Sequence, residues 1–283
     1  MNKRKKVDSR EIGLEIGLLL GKFFFKTEHL HYGYWTDDLN LDIINLPRAQ
    51  ENHSNFIISH IPEGTKTILD VGCGVGCFAE KLTNMGYHVD CISPSSVLTE
   101  HAHNLLGNKS HIFKCKFEKL QTENRYDMVL FSESFQYVNL EKAIQNSIKF
   151  LNAGGHLLIC DFFKTDADGE SALGGGHELA RFYHHISQHP LNPVKDIDIT
   201  KETAPNLKIV NDILINVGLP IWNLITHYLN HNHPLISKLL QWKYKKKITQ
   251  INRKYFSGAR NADTFAIYKS YRLLLYKKTN PHS

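Results

Sequence analysis

The chain has 283 residues, 42% of them hydrophobic and 22% charged, with a net charge of +6 at pH 7. That is ordinary globular composition, which excludes a disordered chain and gives one large domain or one domain with a sizeable insertion. Five scattered cysteines form no CxxC pair, which fits reduced thiols in a cytoplasmic protein; Cys73 and Cys77 lack a second ligand pair, so no metal site is expected.

The start, MNKRKK, and the apolar stretch after it, interrupted by Glu15 and Lys22, are too charged for a signal peptide and too short to span a bilayer. Ile12, Ile16, Leu19 and Phe23 fall on one helical face, so an amphipathic helix docked on the main domain is expected. Residues 1–60 read as a helical N-terminal lid segment. Pro62, Glu63 and Gly64 break it.

Strands are then expected at 67–71, 87–92, 111–115, 126–131 and 155–161, and helices at 76–85, 95–105 and 139–151. This alternation predicts an α/β fold, a Rossmann-like, doubly wound, mostly parallel seven-stranded sheet with core residues 61–163. Residues 164–270 read as a substrate-side lid and helical insertion. It holds a sixth strand near 196–199 and mostly helix over 204–255, interrupted at Gly218, Pro220 and Pro234. The segment 271–283 carries the last strand, YRLLLY, and a tail. Both helical segments would cover the carboxyl ends of the strands, where ligands of such sheets sit.

The charge is uneven. Between Ile213 and Ala262 there is no Asp or Glu, while Lys238, Lys243, Lys245, Lys246, Lys247, Arg253, Lys254 and Arg260 lie there. A basic helix over 238–260 faces a membrane surface, nucleic acid, an acidic substrate or solvent alone. Tyr244, Ile248, Ile251 and Tyr255 share one stripe of it, which reads as core.

The most informative stretch is TILDVGCGVGCF, residues 67–78. A short apolar run meets Asp70, and glycines alternate at Gly72, Gly74 and Gly76. Glycine is needed where backbone must approach a ligand closely. A dinucleotide motif would place its third glycine at position 77, which is Cys77. The D-x-G-x-G-x-G arrangement instead resembles motif I of class I S-adenosylmethionine (SAM) dependent methyltransferases. The resemblance extends over 65–162 with the motifs in order. It implies SAM as cofactor and S-adenosylhomocysteine as product. The glycine loop, with Cys73 in it, would pass beneath the methionine part, and Asp70 would orient the loop and the amino group.

The other motifs follow from the same resemblance. Ser93 stands where the family's ribose-binding acid is usual, which is similar to the cyclopropane-synthase-like and tocopherol-methyltransferase-like branch. Lys116 stands where an adenine-binding acid is usual. Glu118 would substitute for it, with Phe117 against the adenine face; a plain surface loop is the alternative. YDMVLFSESFQYV, 126–138, resembles motif IV, with Ser132 and Glu133 at a strand end facing cofactor and substrate; an exposed loop acid is the alternative for Glu133. FLNAGGHLLICDFF resembles the hairpin before the fifth strand, with Ala153 in place of proline. HLHYGYW, 29–35, resembles the aromatic lid of small-molecule methyltransferases, where Tyr32 and Tyr34 would bind the SAM carboxylate; hydrophobic docking is the alternative.

Methyl transfer from a sulfonium is an in-line displacement in which alignment supplies much of the rate. An oxygen nucleophile also needs a base. The candidates are His31 in the lid, His177 after the glycines at 174–176, and Tyr137. Phe182, Tyr183, Trp222, Tyr228 and Trp242 point to a small hydrophobic, aromatic or lipid-like acceptor methylated on oxygen or carbon, with membrane contact through the basic helix. Nucleic acid is not expected, because the fourth strand ends in Ser132, Glu133, Ser134, Phe135 rather than an Asn-Pro-Pro-aromatic tetrad. A nucleic-acid methyltransferase using 238–260 and a non-catalytic interaction protein of the same fold are the alternatives. The departures at Ser93 and Lys116 motivate the second.

Overall fold

A computed structural model describes residues 9–279 apart from Glu170 and Ala172. The MNKRKK start lies outside the described residues. Strands β1 (Thr67–Val71), β2 (His88–Ile92), β3 (Ile112–Phe113), β4 (Tyr126–Ser132) and β5 (Leu151–Lys164) are parallel. β6 (Leu191–Asp198) and β7 (Lys269–Lys278) complete one seven-stranded sheet, β7 running antiparallel between β5 and β6, in the order β3-β2-β1-β4-β5-β7-β6.

The central strands read as unbroken apolar runs because both of their faces are covered. Ile68, Met128, Leu130 and Leu158 pack into the cluster on one face. Helices α3 (Cys77–Asn84) and α4 (Ser96–Leu106) contribute Phe78, Leu82, Ala102 and Leu106 to it. Leu69, Val129, Phe131 and Leu157 pack on the other face with Ala143, Ile144 and Phe150 of α5 (Leu140–Phe150) and Phe182 of α6 (Leu179–Ile186). Local signals set the ends: Ser95 Oγ accepts from Leu98 N at the start of α4, and Asn139 Oδ1 accepts from Lys142 N at the start of α5. Strand order reverses between β1 and β4, so the switch point at which such sheets bind ligands lies at their carboxyl ends.

Three expectations change. The fifth strand, expected at 155–161, already starts at Leu151 and so takes in residues 152–155, and it bulges against β4 between Tyr126 and Met128. β6 begins at Leu191 despite Pro193, because it is the edge strand and a missing N–H there breaks no ladder. Gly218 and Pro220 do not interrupt the helix. After the short helix α7 (Thr200–Thr203), a π-turn, Leu214–Gly218, joins α8 (Pro205–Ile213) to α9 (Leu219–Asn232), and its looser hydrogen bonding accommodates the proline.

The N-terminal segment lies over the carboxyl ends. Helix α1 (Ser9–Leu20) docks through Leu18 against Val75, Leu98, Leu30 and Cys77. The face expected to dock, Ile12, Ile16, Leu19 and Phe23, is instead exposed. Helix α2 (Leu46–Ile58) anchors the strap that follows: Gln50 Nε2 donates to the carbonyls of His29 and His31, and its Oε1 accepts from Thr27 Oγ1. Gly33 bonds both ways with the Asn206 amide of α8. A Cβ at Gly33 would sit 2.5 Å from Ala49 Cβ, so only glycine lets the strap lie this close to α2.

Helices α9 and α10 (Pro234–Tyr255) form a hairpin that turns at His233 and Pro234. No residue of α9 is buried, and of α10 only Ser237 is. The stripe expected to be core is at most half-buried. α11 (Ala262–Tyr268) leads back into β7.

Candidate active site

The glycine loop lies at the carboxyl end of β1, held by Gly72 N donating to Ile92 O at 2.8 Å. All three motif glycines have positive φ, Gly72 +84°, Gly74 +58° and Gly76 +92°. Their surroundings differ. A Cβ on Gly72 would meet Ser134 Cβ at 2.5 Å, and one on Gly76 would meet Ala102 Cβ and Leu106 Cδ1 at 3.2 Å. Only Gly74 faces open space. Gly72 and Gly76 therefore answer to packing between elements, and Gly74 is the one with open space over its backbone. Asp70 beneath the loop is 3% exposed, and burial alone pushes its carboxyl up to about 7.

Cys73 turns its thiol into the core beside Cys91, so only its backbone lines the loop. Ser93 is buried at the end of β2, its N–H donating to Phe113 O. Ser132 ends β4 opposite Cys160 of β5.

The expected adenine pair is not available as read. Phe117 is buried on the other face of the sheet, its ring edge-on to Phe131 at 5.4 Å and 6.0 Å from Phe150. A short 3-10 turn, Phe117–Lys119, aims it inward. The Glu118 carboxylate accepts from Asn139 N at the start of α5. The rings of the lid tyrosines are engaged in packing. The Tyr32 ring lies among Phe162, Phe265 and Tyr271, with centroids at 6.3, 6.1 and 6.1 Å. Tyr34 stacks on Phe56 of α2, and its hydroxyl is raised in pKa by burial and then by Glu202 and Asp37. Both fit the docking alternative.

The expected bases are also committed elsewhere. His31 Nδ1 bonds the Tyr32 carbonyl at 2.8 Å, so it carries the proton, and Nε2 faces His29 Nδ1 at 3.1 Å. Burial lowers the His31 pKa to about 3, too weak for a base near neutrality. His177 Nε2 meets the carbonyls of Val138 at 3.0 Å and Phe135 at 3.3 Å, and can only donate to them. It ties the loop after β5 to the loop after β4. Tyr137 is an exposed residue of the 3-10 turn Phe135–Tyr137.

Beside the glycine loop the structure assembles a buried network instead. Glu133, at the end of β4, has φ +55°, a conformation L side chains rarely adopt. Its Oε1 accepts from Tyr32 N at 2.6 Å and Tyr271 Oη at 2.7 Å. The Tyr271 hydroxyl donates to the carboxylate, so His53 Nε2, 3.0 Å away, donates to the hydroxyl. His53 Nδ1 is buried and without a partner. His53 stacks on His31 at 4.8 Å, completing a line from the strap to β4. Burial pushes Glu133 up to about 8, opposed by the Tyr271 bond and reinforced by the charge of Asp161.

Asp161, fully buried in the carboxyl-terminal part of β5, is pushed up to about 7, burial again the main cause. It accepts from Gln136 N, Gln136 Nε2 and Phe162 N at 2.8 to 3.0 Å. Two carboxyls thus titrate near neutrality at adjacent strand ends, as expected of acid–base sites. Of this network the sequence named Glu133 and His31, leaving Glu133 open between site and surface; its burial decides against the surface. Asp161, Tyr271 and His53 were missed. The signal for Asp161 was an acid inside the apolar run LLICDFF.

The profile of the family described as "Methyltransferase domain" matches residues 48–194, from α2 through β6's first residues. A ubiquinone biosynthesis O-methyltransferase of Rickettsia bellii is 29% identical over 149 residues, covering 50% of this chain and 61% of that one. The chain thus spans about three fifths of that relative's length. A geranyl diphosphate C-methyltransferase from Streptomyces coelicolor superposes with TM-score 0.65 at 14% identity, over 97% of this chain and 100% of that one. The [4+2]-cyclase SpnF superposes with TM-score 0.67 at 14% identity, over 97% and 98%. At those identities the structures speak for the fold, and the family profile covers just over half of the sequence; the chain belongs to the methyltransferase-domain family.

Proposed function

We propose that this protein is a SAM-dependent methyltransferase that moves a methyl group to oxygen or carbon of a small, apolar, aromatic or lipid-like acceptor. The observation that carries the reading is the open space over Gly74, between buried Asp70 and Ser93 and beside two carboxyls that titrate near neutrality. The residues fit the cofactor: bare backbone at Gly74 to lie against it, an acid for its ammonium and a hydroxyl for its ribose. When bound, SAM supplies a methyl group on a cationic sulfur.

The chain's own residues do the rest. Asp70 lacks a compensating cation among the causes of its raised pKa, so an ammonium beside it favours its charged form. In its ionised form Glu133 or Asp161 would take up the proton an acceptor hydroxyl loses, and Tyr271 with the Tyr32 N–H holds the Glu133 carboxyl in position. Tyr32 packs with Phe162, Phe265 and Tyr271 into a buried aromatic cluster around Glu133, surroundings that suit an apolar acceptor. The Rickettsia relative is named for O-methylation in ubiquinone biosynthesis, and the Streptomyces neighbour for C-methylation of geranyl diphosphate, with S-adenosyl-L-homocysteine in its structure. Both names support a small acceptor with apolar character. A lipid-like acceptor also gives segment 238–260 a partner, the membrane in which such a molecule dissolves. The free thiols support a cytoplasmic location.

A non-catalytic interaction protein remains the second reading, favoured by Phe117 and Glu118 both being engaged away from the loop. The test is transfer of labelled methyl from SAM to a panel of hydrophobic phenols and isoprenoid quinols in detergent. Label in the organic extract, lost in Gly74→Asp, supports the enzyme. An unlabelled extract from protein that binds SAM turns the reading toward the non-catalytic one.

A further inference from the structure

The α9–α10 hairpin is built from residues that a soluble surface does not need. Leu235, Leu239 and Trp242 form one outward stripe of α10 by helical spacing, exposed by 81%, 58% and 78%. Ile221, Leu224, Ile225 and Tyr228 are exposed on α9, Leu224 by 68%. Ser237 faces inward, its hydroxyl 2.5 Å from Asn230 Oδ1, and pins the two helices together. Trp222 and Phe256 meet at 6.4 Å at the hairpin's base. The most exposed apolar residues of α10 thus lie in its first half, toward the turn, with Lys238 among them; Ile248, Ile251 and Tyr255 of the second half are less exposed. Lys243, Lys245, Lys246 and Lys247 begin directly after Trp242, and Arg253 and Lys254 follow. No acid interrupts the hairpin.

We propose that this hairpin seats the protein on an anionic lipid bilayer, its apolar tip entering the headgroup–acyl boundary and its lysines lying over the lipid phosphates. The order along α10, apolar residues and an exposed Trp, then a lysine cluster, is the order of a membrane interface from boundary to water. Each basic residue near such a surface adds about 1 kcal/mol of attraction, or about fivefold in affinity. The missing acids remove the opposing repulsion. A second copy of the same surface is disfavoured, because a two-fold contact would set lysines against lysines. Nucleic acid would leave the Leu235–Leu239–Trp242 stripe in water.

The helical run Thr200–Asn232 is long and apolar enough to cross a membrane by length and composition. Its first part is held to the core by buried Thr203, Asn206, Leu207 and Ile209. α10 carries Lys238 and six further bases. Lying on the surface satisfies both facts; crossing satisfies neither.

The inference does not depend on methyl transfer, and its test needs no SAM. The full chain is floated with vesicles of phosphatidylcholine containing about one quarter phosphatidylglycerol, and with pure phosphatidylcholine, while tryptophan emission is followed. The expected result is binding to the anionic vesicles that weakens with salt, with a blue shift that Trp242→Phe removes. Lys243→Glu/Lys246→Glu/Lys247→Glu should weaken binding about a hundredfold or more. Leu235→Asp/Leu239→Asp should also abolish the blue shift. All of these side chains are exposed, so an unchanged melting curve certifies the fold of each variant. Wild-type protein that stays unbound, or binding that the substitutions leave intact, overturns the proposal. So does tighter capture of RNA through the same lysines, or a wild-type dimer that Leu235→Asp/Leu239→Asp splits.

Discussion

Gly72 and Gly74 look alike in the sequence and are chemically different in the structure. Ala at 72 would drive its Cβ into Ser134 and hold a β-carbon at φ +84°. Gly72→Ala should cost about 3 kcal/mol in urea unfolding. Gly74→Ala meets no atom and carries only backbone strain, about 1 kcal/mol. A loss of stability equal in the two would contradict the assignment of Gly72 to packing. The carboxyls make a second prediction. Asp70, Glu133 and Asp161 have folded pKa values of about 7, 8 and 7, against ordinary values of 3.8, 4.5 and 3.8. At pH 6.5 the unfolded chain has already released these protons and the folded chain still holds most of them. Stability therefore falls as pH rises from about 6.5 to about 8.5, where the folded groups also ionise. Buried His31 and His53 oppose this around pH 6.5, where the unfolded chain's histidines still lose protons that the folded ones do not hold, so the fall is read from about pH 7 upward. Calorimetric melts should show Tm dropping by several degrees over that range. Glu133→Gln, which keeps an acceptor for Tyr32 and Tyr271, should flatten the drop. A Tm that rises with pH, or a drop that the variant leaves unchanged, would refute the titration.

At the scale of elements, the sequence located what depends on local pattern. β1 was expected at 67–71 and is Thr67–Val71; α4 and α5 fall within a residue of their expected ranges. Apolar runs, caps and glycine turns are written in consecutive residues, so they are legible. The loop side chains were not, because whether a ring points at a ligand or into the core depends on partners distant in sequence. Phe117 shows this. It follows a strand and could lie over adenine by position, yet Phe131 and Phe150 capture it. Phe117→Ala should cost about 3–5 kcal/mol in denaturant unfolding. Its SAM affinity, measured where the variant is folded, should stay within about threefold of wild type, a change worth under 1 kcal/mol. A large affinity loss with little loss of stability would return the ring to the adenine. The line His31–His53–Tyr271–Glu133 was equally hidden, because it joins the strap, α2, β7 and β4 across the whole sequence.

Taken whole, the molecule separates into a sheet whose order was readable and two coverings whose contacts were not. The alternation of strands and helices implied a doubly wound sheet, and the seven-stranded order has its switch point where the glycine motif ends β1. The coverings follow no such period. The face of α1 expected to dock is exposed, and the α9–α10 hairpin carries its apolar residues outward. The central claim is that the open space over Gly74 receives SAM. The most direct measurement is titration calorimetry of SAM, S-adenosylhomocysteine and NADH into wild-type protein and Gly74→Asp. The variant can fold, because a side chain at 74 enters open space and Asp tolerates φ +58°. Micromolar SAM binding that Gly74→Asp abolishes, with NADH silent, is the predicted result. No SAM binding by wild-type protein with a cooperative melt, or binding that Gly74→Asp leaves intact, would contradict it.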